Sequence, residues 1–480
     1  MKSGHLTKLP TSWTLEPLAR LGTWTGGGTP STSNAAFWAG GTIPWVSPKD
    51  MKQARVSTAQ DLITEKAVAS SATNLIVENS VLLVTRSGIL RHSLPAAINT
   101  KPVTLNQDMK ALTPLKGLNV EFLYYGFRRF ERDILHTCCK GGTTVQSIEA
   151  PRLTTFEFPV PPAAEQQRIV TKIEELFSEL DKGIENLKLA RAQLAAYRLS
   201  LLKHAFEGKL TADWRAAQAD PLETAEQLKS SNFVAMRTKD ATSLPTLPSS
   251  WAYTYLANLG DLNRGKSKHR PRNDPFLFGG PYPFIQTGEV KAAGKVIRTF
   301  ENTYSEAGLR QSTLWPKGTL CITIAANIAQ TAFLGFDACF PDSVVGFKAY
   351  EGIVEPEFID FFIRGVRTRI EAYAPATAQK NINLTTLENL VVPLAPLAEQ
   401  KKLIENLSEQ LSMLDQTEAE IDTNLQKSEA LRQSILKQAF SGQLVPQHPN
   451  DEPAAELLAR IRAHRAVVEP RPIRRKRASA

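Results

Sequence analysis

Ala164-Glu165-Gln166-Gln167-Arg168-Ile169-Val170-Thr171-Lys172-Ile173-Glu174-Glu175-Leu176-Phe177-Ser178-Glu179-Leu180-Asp181 has a counterpart 234 residues further on. That counterpart is Ala398-Glu399-Gln400-Lys401-Lys402-Leu403-Ile404-Glu405-Asn406-Leu407-Ser408-Glu409-Gln410-Leu411-Ser412-Met413-Leu414-Asp415. Seven of these 18 positions are identical. The same offset aligns Ser200-Leu201-Leu202-Lys203-His204-Ala205-Phe206-Glu207-Gly208-Lys209-Leu210 with Ser434-Ile435-Leu436-Lys437-Gln438-Ala439-Phe440-Ser441-Gly442-Gln443-Leu444, with seven identities in 11. One register held across both ends of so long a segment is a duplication, and a repeat governs the fold before any local reading does.

Both copies read as long helices. Proline precedes each and glycine follows the last turn, the expected bounds of a helix. Apolar residues recur at alternating steps of three and four: Ile169, Ile173, Leu176, Leu180, Leu187, Ala190, Leu194, Tyr197 and Leu201 in the first copy. The second shows Leu403, Leu407, Leu411, Leu414, Ile421, Leu425, Leu431 and Ile435. Each helix would run about 65 Å at 1.5 Å per residue. A stripe of that length is buried only against a partner of similar length, and the other copy is the natural candidate. Antiparallel pairing would then set the domain that precedes each helix at opposite ends of one coiled coil. Two separate helical hairpins, each packed on its own domain, are the alternative.

Working outward, the repeat continues upstream with drifting offsets. Leu9-Pro10-Thr11-Ser12-Trp13 resembles Leu247-Pro248-Ser249-Ser250-Trp251, and Thr143–Ile148 resembles Thr377–Ile382. The fold class expected is α+β: two mixed α/β domains joined by two long antiparallel helices, with a pseudo-two-fold internal repeat. The divisions are domain 1 at 1–160, first spacer helix 161–210, linker 211–246, domain 2 at 247–395, second spacer helix 396–445 and basic tail 446–480. Ser80–Thr85 and Gly318–Ile324 are apolar, β-branched runs at equivalent places and read as buried strands.

The net charge of +9 comes largely from the region that starts at Arg460, which holds eight Lys/Arg against Glu469. Pro470–Arg477 reads as a flexible basic arm. Elsewhere the positive side chains stand in loops of the two domains: Lys49, Arg86, Arg91 and Lys140 in the first, and Arg264, Lys266, Lys268, Arg270 and Arg272 within nine residues of the second. Thr29, Thr143, Gln286, Thr287 and Lys380 accompany them. Arg and Lys neutralise phosphates, and Arg, Gln and Ser/Thr read base edges, so double-stranded DNA is the expected partner. A solvated loop is the bland reading of the same residues.

Several motifs fail on physical grounds. Gly260-Asp261-Leu262-Asn263-Arg264-Gly265-Lys266-Ser267 matches the phosphate-binding loop of nucleotide hydrolases letter for letter. That loop must open a helix, whereas Lys268-His269-Arg270-Pro271-Arg272-Asn273-Asp274-Pro275 follows. Pro161-Pro162 lacks the residues an amino-methyltransferase needs around it, Pro341-Asp342 has no downstream Glu-x-Lys for a nuclease metal site, and no hydrolase elbow occurs. The histidines show no ligand spacing. No catalytic residue and no metal site are expected. Cys138, Cys139, Cys321 and Cys339 form no framework and read as reduced thiols. Without an apolar leader or a span of about 20 apolar residues, a cytoplasmic, non-membrane protein is expected.

Gly27-Gly28-Thr29-Pro30 with Ile43–Ser47, Tyr282–Gly288, Phe340–Phe347, Pro393–Gln400 and Lys437–Leu444 occur in one order, partly twice. By this set the sequence resembles the specificity subunit of type I restriction–modification systems over nearly its whole length. The resemblance implies two target-recognition domains, each reading one half of a split, asymmetric DNA site, with the helices setting the gap. It also implies a non-catalytic chain that binds no cofactor. Two methylation subunits using S-adenosylmethionine would dock on the helices carrying Ile169, Ile173, Leu180, Leu187, Leu194, Leu201, Leu403, Leu407, Leu414, Ile421 and Ile435. Restriction subunits using ATP and Mg would join them. The linker and tail depart most from a tidy repeat. A subunit of a modification-only or compact type II system is the near alternative, and a coiled-coil scaffold that binds proteins is the alternative from another class.

Overall fold

The computed structural model describes residues 9–140, 145–218, 224–225, 244–372 and 382–468. The chain divides into two compact units. The first joins the chain up to Leu187 with everything from Thr423 onward, and the second is Lys188–Asp422.

In the first unit the main sheet has five strands in the order Gly22–Gly26, Met109–Pro114, Val81–Val84, Ala96–Asn99, Arg55–Val56. All neighbours are antiparallel except the last pair. Every residue of Val81–Val84 is buried, which is why this run is apolar throughout and does not alternate. The second unit repeats the plan: Gly260–Arg264, Val344–Ala349, Leu320–Thr323, Thr331–Leu334, Val296–Ile297, again with only the last pair parallel. Leu320–Thr323 is likewise fully buried. Each unit also pairs the entry strand that follows its Trp13 or Trp251 with the strand before the long helix: Thr14–Pro17 with Glu157–Val160, and Ala252–Tyr255 with Val391–Leu394.

The units differ around this shared frame. The first adds a four-stranded sheet in the order Asp61–Ile63, Ile43–Val46, Val103–Leu105, Leu75–Ile76, and a three-stranded ribbon described below. The second has a two-stranded sheet, Phe278–Phe284 with Asn302–Tyr304. The drift in sequence offset between the copies falls at these additions.

Two long helices, Ala163–Phe206 and Leu397–Ala439, run through both units. Within the second unit Arg191 meets Glu418 at 3.6 Å and Asp422 at 3.4 Å, while Arg198 meets Asp415 at 2.5 Å. Partner numbers fall as helix numbers rise, so the helices are antiparallel. The first unit holds the equivalent pair, Arg432 with Asp181, one repeat offset from Arg198 and Asp415. The expected seam needs correction at this register. Tyr197 and Leu431 are 54% and 51% exposed, and the guanidinium-bearing Arg198 and Arg432 take the half-buried places beside them. An arginine stem covers apolar surface while its head reaches the facing carboxylate.

The identical Glu and Gln at each helix start explain the repeat's strongest match. Gln166 accepts from the Asn119 amide at 2.9 Å and donates to Pro161 O at 3.0 Å. Gln400 accepts from the Glu355 amide at 2.8 Å and donates to Ala395 O at 2.8 Å. Each Gln therefore ties its long helix to the start of the domain helix, Val120–Arg129 or Pro356–Ala372. The Glu before it is buried in both units, with different partners. Glu165 accepts from Trp13 Nε1 at 3.0 Å and from Gln447, and burial raises its pKa. Glu399 accepts from Thr211 Oγ1 at 2.6 Å and Arg215 Nη2 at 2.7 Å.

The helix ends are also duplicated. Gly208 and Gly442 take φ of +71° and +72°, and the amides of Lys209 and Gln443 bond back to His204 O and Gln438 O at 3.0 and 2.9 Å. These are Schellman stops, where glycine avoids the left-handed penalty of a Cβ. A Cβ on Gly208 would lie 2.5 Å from Pro248 Cγ, and on Gly442 2.4 Å from Pro10 Cγ. Gly208→Ala and Gly442→Ala are each expected to cost roughly 1–3 kcal/mol, read as a lowered midpoint in urea unfolding. A shift below half a kcal/mol at both would refute the dual constraint.

The linker and tail turn out to belong to this repeat. The Ala225 amide donates to Ser250 O at 3.0 Å, and the Ala454 amide to Ser12 O at 3.0 Å. The predicted tail includes a helix, Ala454–Val468, whose Ala454, Leu457 and Leu458 are buried. Arg168 binds Asp451 at 2.6 Å and holds its carboxyl below the usual range, and Arg462 reaches Glu16. The part of the tail that reads as a basic arm, Pro470–Arg477, lies outside the described residues, as does most of 219–243.

Candidate nucleic-acid interface

In the first unit the structure gathers three of the candidate residues. Arg86–Ser87, Gln146–Ile148 and Cys139–Lys140 form a three-stranded antiparallel ribbon with Gln146–Ile148 in the middle. Ser147 stands opposite Arg86 on one side and Lys140 on the other. Residues directly opposite in an antiparallel ladder share a face, so Arg86, Ser147 and Lys140 form a row. Ile148 points the other way and is buried, which turns the row to solvent. Arg91 ends the 3-10 turn Gly88–Arg91 that follows Arg86. Arg86 and Lys140 are exposed and enter no ion pair among the described residues. Thr143 lies outside the described residues.

Thr29 and Lys49 stand apart from this ribbon. The Thr29 hydroxyl donates to Gln107. Lys49 is bound to Asp61 at 2.9 Å, which raises its pKa. Its charge is therefore countered within the chain, and the expectation of a free phosphate contact is weakened by that acid.

The five-charge loop of the second unit is more ordered and less positive than its sequence. Gly260–Arg264 is a strand, but no helix follows it, and Gly265 is packed against the backbone of Phe340 and Pro341. The phosphate-loop geometry is thus absent. Arg264 donates to Asp342 O at 2.9 Å, Arg272 pairs with Asp342 at 2.9 Å, and Arg270 folds back on Ser267 O at 2.7 Å. Gln311 accepts from the His269 amide at 2.9 Å, and Ser312 donates to Lys266 O at 2.9 Å. Three arginines thus shape the loop, leaving Lys266 and Lys268 exposed and without ion pairs among the described residues. Asp342, distant in sequence, gave no local signal of this role.

Gln286 is engaged as well. It caps the short helix Thr287–Ala292 reciprocally with Glu289, whose carboxylate accepts from the Gln286 amide at 2.8 Å. Thr287 is the first residue of that helix. Lys380 lies outside the described residues. The edge matching the ribbon is identified by a shared hydrogen bond: Ile382 N to Ile324 O at 2.9 Å, against Ile148 N to Thr85 O at 2.8 Å in the first unit. Here the loop Ala325-Ala326-Asn327-Ile328-Ala329-Gln330 carries no charge. Ala326 and Ala329 adopt φ of 61° and 55°, strain of a kind that concentrates at functional sites.

The seam side chains named for the helices are occupied within the chain. Ile169, Ile173 and Ile435 are buried in the first unit, and Leu201, Leu403, Leu407, Leu414 and Ile421 in the second. Leu180, Leu187 and Leu194 are half-buried. The helices' exposed apolar residues are others, among them Leu189, Tyr197, Leu199, Met413 and Leu431. Among the described residues no helix is long and apolar enough to cross a membrane, and no group of His, Cys, Asp or Glu could hold a metal ion.

Two like domains, each completed by the start of one long helix and the end of the other and each displaying basic loops, define a duplicated recognition protein. The chain belongs to the type I restriction modification DNA specificity domain family, whose profile matches residues 10–189 and again 248–427. The type I restriction enzyme EcoR124I/EcoR124II specificity subunit of Escherichia coli is 43% identical over 185 residues, 38% of this chain and 46% of that protein. The MjaIX specificity subunit of Methanocaldococcus jannaschii is 28% identical over 289 residues, 59% of this chain and 60% of that one. The EcoKI specificity subunit of Escherichia coli K12 is 22% identical over 489 residues, 96% and 97% of the two chains. The chain thus spans about half to three-fifths of the first two relatives and nearly all of the third. Among solved structures, a chain from work on complex assembly and conformational transition of the type I R-M system gives a TM-score of 0.68 at 15% identity, covering 91% of this chain and all of that one. The HsdS subunit from Thermoanaerobacter tengcongensis gives 0.56 at 16%, covering 92% and 100%. These two establish a shared fold.

Proposed function

We propose that this chain is the DNA-specificity subunit of a type I restriction–modification complex and reads a two-part, asymmetric site, one domain per half. The observation that carries this is the duplication itself: one five-stranded frame built twice, with unlike exposed edges. Like frames place two readers by one plan, and unlike edges read two different sequences. Lys266 and Lys268 in one unit and Arg86, Arg91 and Lys140 in the other supply phosphate contacts. Base modification and cleavage belong to partner subunits: methylation subunits using S-adenosylmethionine, and restriction subunits using ATP and Mg.

Sequencing methylated adenines in genomic DNA, with this chain present and deleted, tests the reading. The expected result is one split motif that vanishes with the chain. Exchanging the second domain for that of a relative should change one half of the motif only. An unchanged methylation pattern on deletion would refute the proposal.

A further inference from the structure

We propose that the three-stranded ribbon of the first unit lies face-on in the major groove, with Arg86 and Lys140 gripping the phosphates of its two walls and Ser147 facing the base edges between them. The proposal rests on the reading of the chain as a DNA-binding subunit, and adds which element enters the groove and how its residues divide the work.

The geometry points to this in three ways. First, Arg86 and Lys140 flank Ser147 at one register of an antiparallel ladder. Strands stand about 4.8 Å apart, so the two basic positions are about 10 Å apart across the ribbon, close to the roughly 12 Å width of the major groove. Second, the opposite face is anchored: Ile148 is buried, and its amide bonds to Thr85 O at 2.8 Å, at the end of the central core strand. A reading surface held on such a strand is fixed before DNA arrives, which lowers the ordering cost of binding. Third, the central hydroxyl is the kind of side chain that reads base edges, while the outer cations suit phosphates. The matching loop of the second unit, Ala325–Gln330, carries no charge, so the position of Arg86 has no basic counterpart there.

The test uses the complex purified through this chain and a duplex carrying its own methylated motif. Affinity is measured over a range of salt concentrations. Each lost phosphate contact lowers the slope of log K against log salt by about 0.9, so Arg86→Gln with Lys140→Gln should flatten it by about 2. The charge-preserving pair Arg86→Lys with Lys140→Arg should restore it. Ser147→Ala should leave the slope unchanged and relax base preference in one half of the motif. Because all three positions are at least partly exposed, the melting temperature should stay within about a degree or two of the unchanged chain. If the unchanged complex shows no salt-dependent binding to its motif, the DNA reading itself fails and the ribbon with it. If it binds and the double glutamine variant keeps the full slope, or Ser147→Ala alters neither half, only the groove assignment is overturned.

Discussion

Phe440→Ala is expected to destabilise the first unit by about 3–5 kcal/mol, the cost of truncating a buried phenylalanine. Phe440 ends the second long helix, yet its ring stacks on Phe122 at 4.7 Å and meets Phe130 and Phe158 edge-on at 5.7 and 5.8 Å. Phe122 and Phe130 lie on or next to the domain helix, and Phe158 is in the strand before the first long helix. The cluster closes tightly: a Cβ on Gly126 would lie 2.0 Å from Phe158 Cζ, so there is little slack to refill the cavity. Phe206 plays the same part in the second unit, against Phe358 at 5.0 Å and Phe362 at 5.2 Å. Differential scanning calorimetry should show one transition lowered by Phe440→Ala and the other by Phe206→Ala. A single transition lowered alike by both would contradict the division of the core.

Arg215→Met should cost the second unit about 3–5 kcal/mol, because it strands a buried carboxylate. The Glu399 side chain is fully buried, and Arg215 approaches it through both Nε at 3.0 Å and Nη2 at 2.7 Å. Arg215 also donates to Gly208 O at 2.6 Å, bracing the Schellman stop. Removing the guanidinium leaves Glu399 with the Thr211 hydroxyl, at 2.6 Å, as its one remaining side-chain donor among the described residues. Adding Glu399→Gln should recover much of the loss, since an amide is far cheaper to bury than a charge. In the first unit the equivalent Glu165 has Trp13 and Gln447 as donors and a raised pKa. Glu165→Gln should therefore be nearly neutral. Urea unfolding of the three variants separates these cases, and an equal penalty for Glu165→Gln and Arg215→Met would show that the two glutamates do the same job.

The long helices were legible because periodicity and repeat register are local facts. Schellman glycines, the paired Glu-Gln starts and the buried strands Val81–Val84 and Leu320–Thr323 all carry their cause in adjacent residues. What sequence could not supply was pairing over distance. Lys49 and Arg272 look alike in a string of letters as free charges; Asp61 and Asp342 counter both. Tyr197 and Leu431 fit the heptad count, yet the facing aspartates draw Arg198 and Arg432 into the seam beside them. The ribbon was invisible for another reason. Its strands are two or three residues long, too short for an alternation to register, and they come from separate parts of the chain. The linker and tail hid their kinship because only backbone bonds to Ser250 and Ser12 express it.

The first unit is assembled from both sides of the second, and this bears on birth at the ribosome. Lys188–Asp422 is continuous and can close as soon as it emerges. The first unit cannot: Trp13, Phe122 and Phe158 share a core with Phe440, Ala454 and Leu458. At about 5–20 residues per second, the intervening stretch takes on the order of ten to fifty seconds to make. Throughout that interval the earliest-made domain waits with an uncovered aromatic face, the kind of surface that chaperones hold. The domain translated first is then the last to be finished.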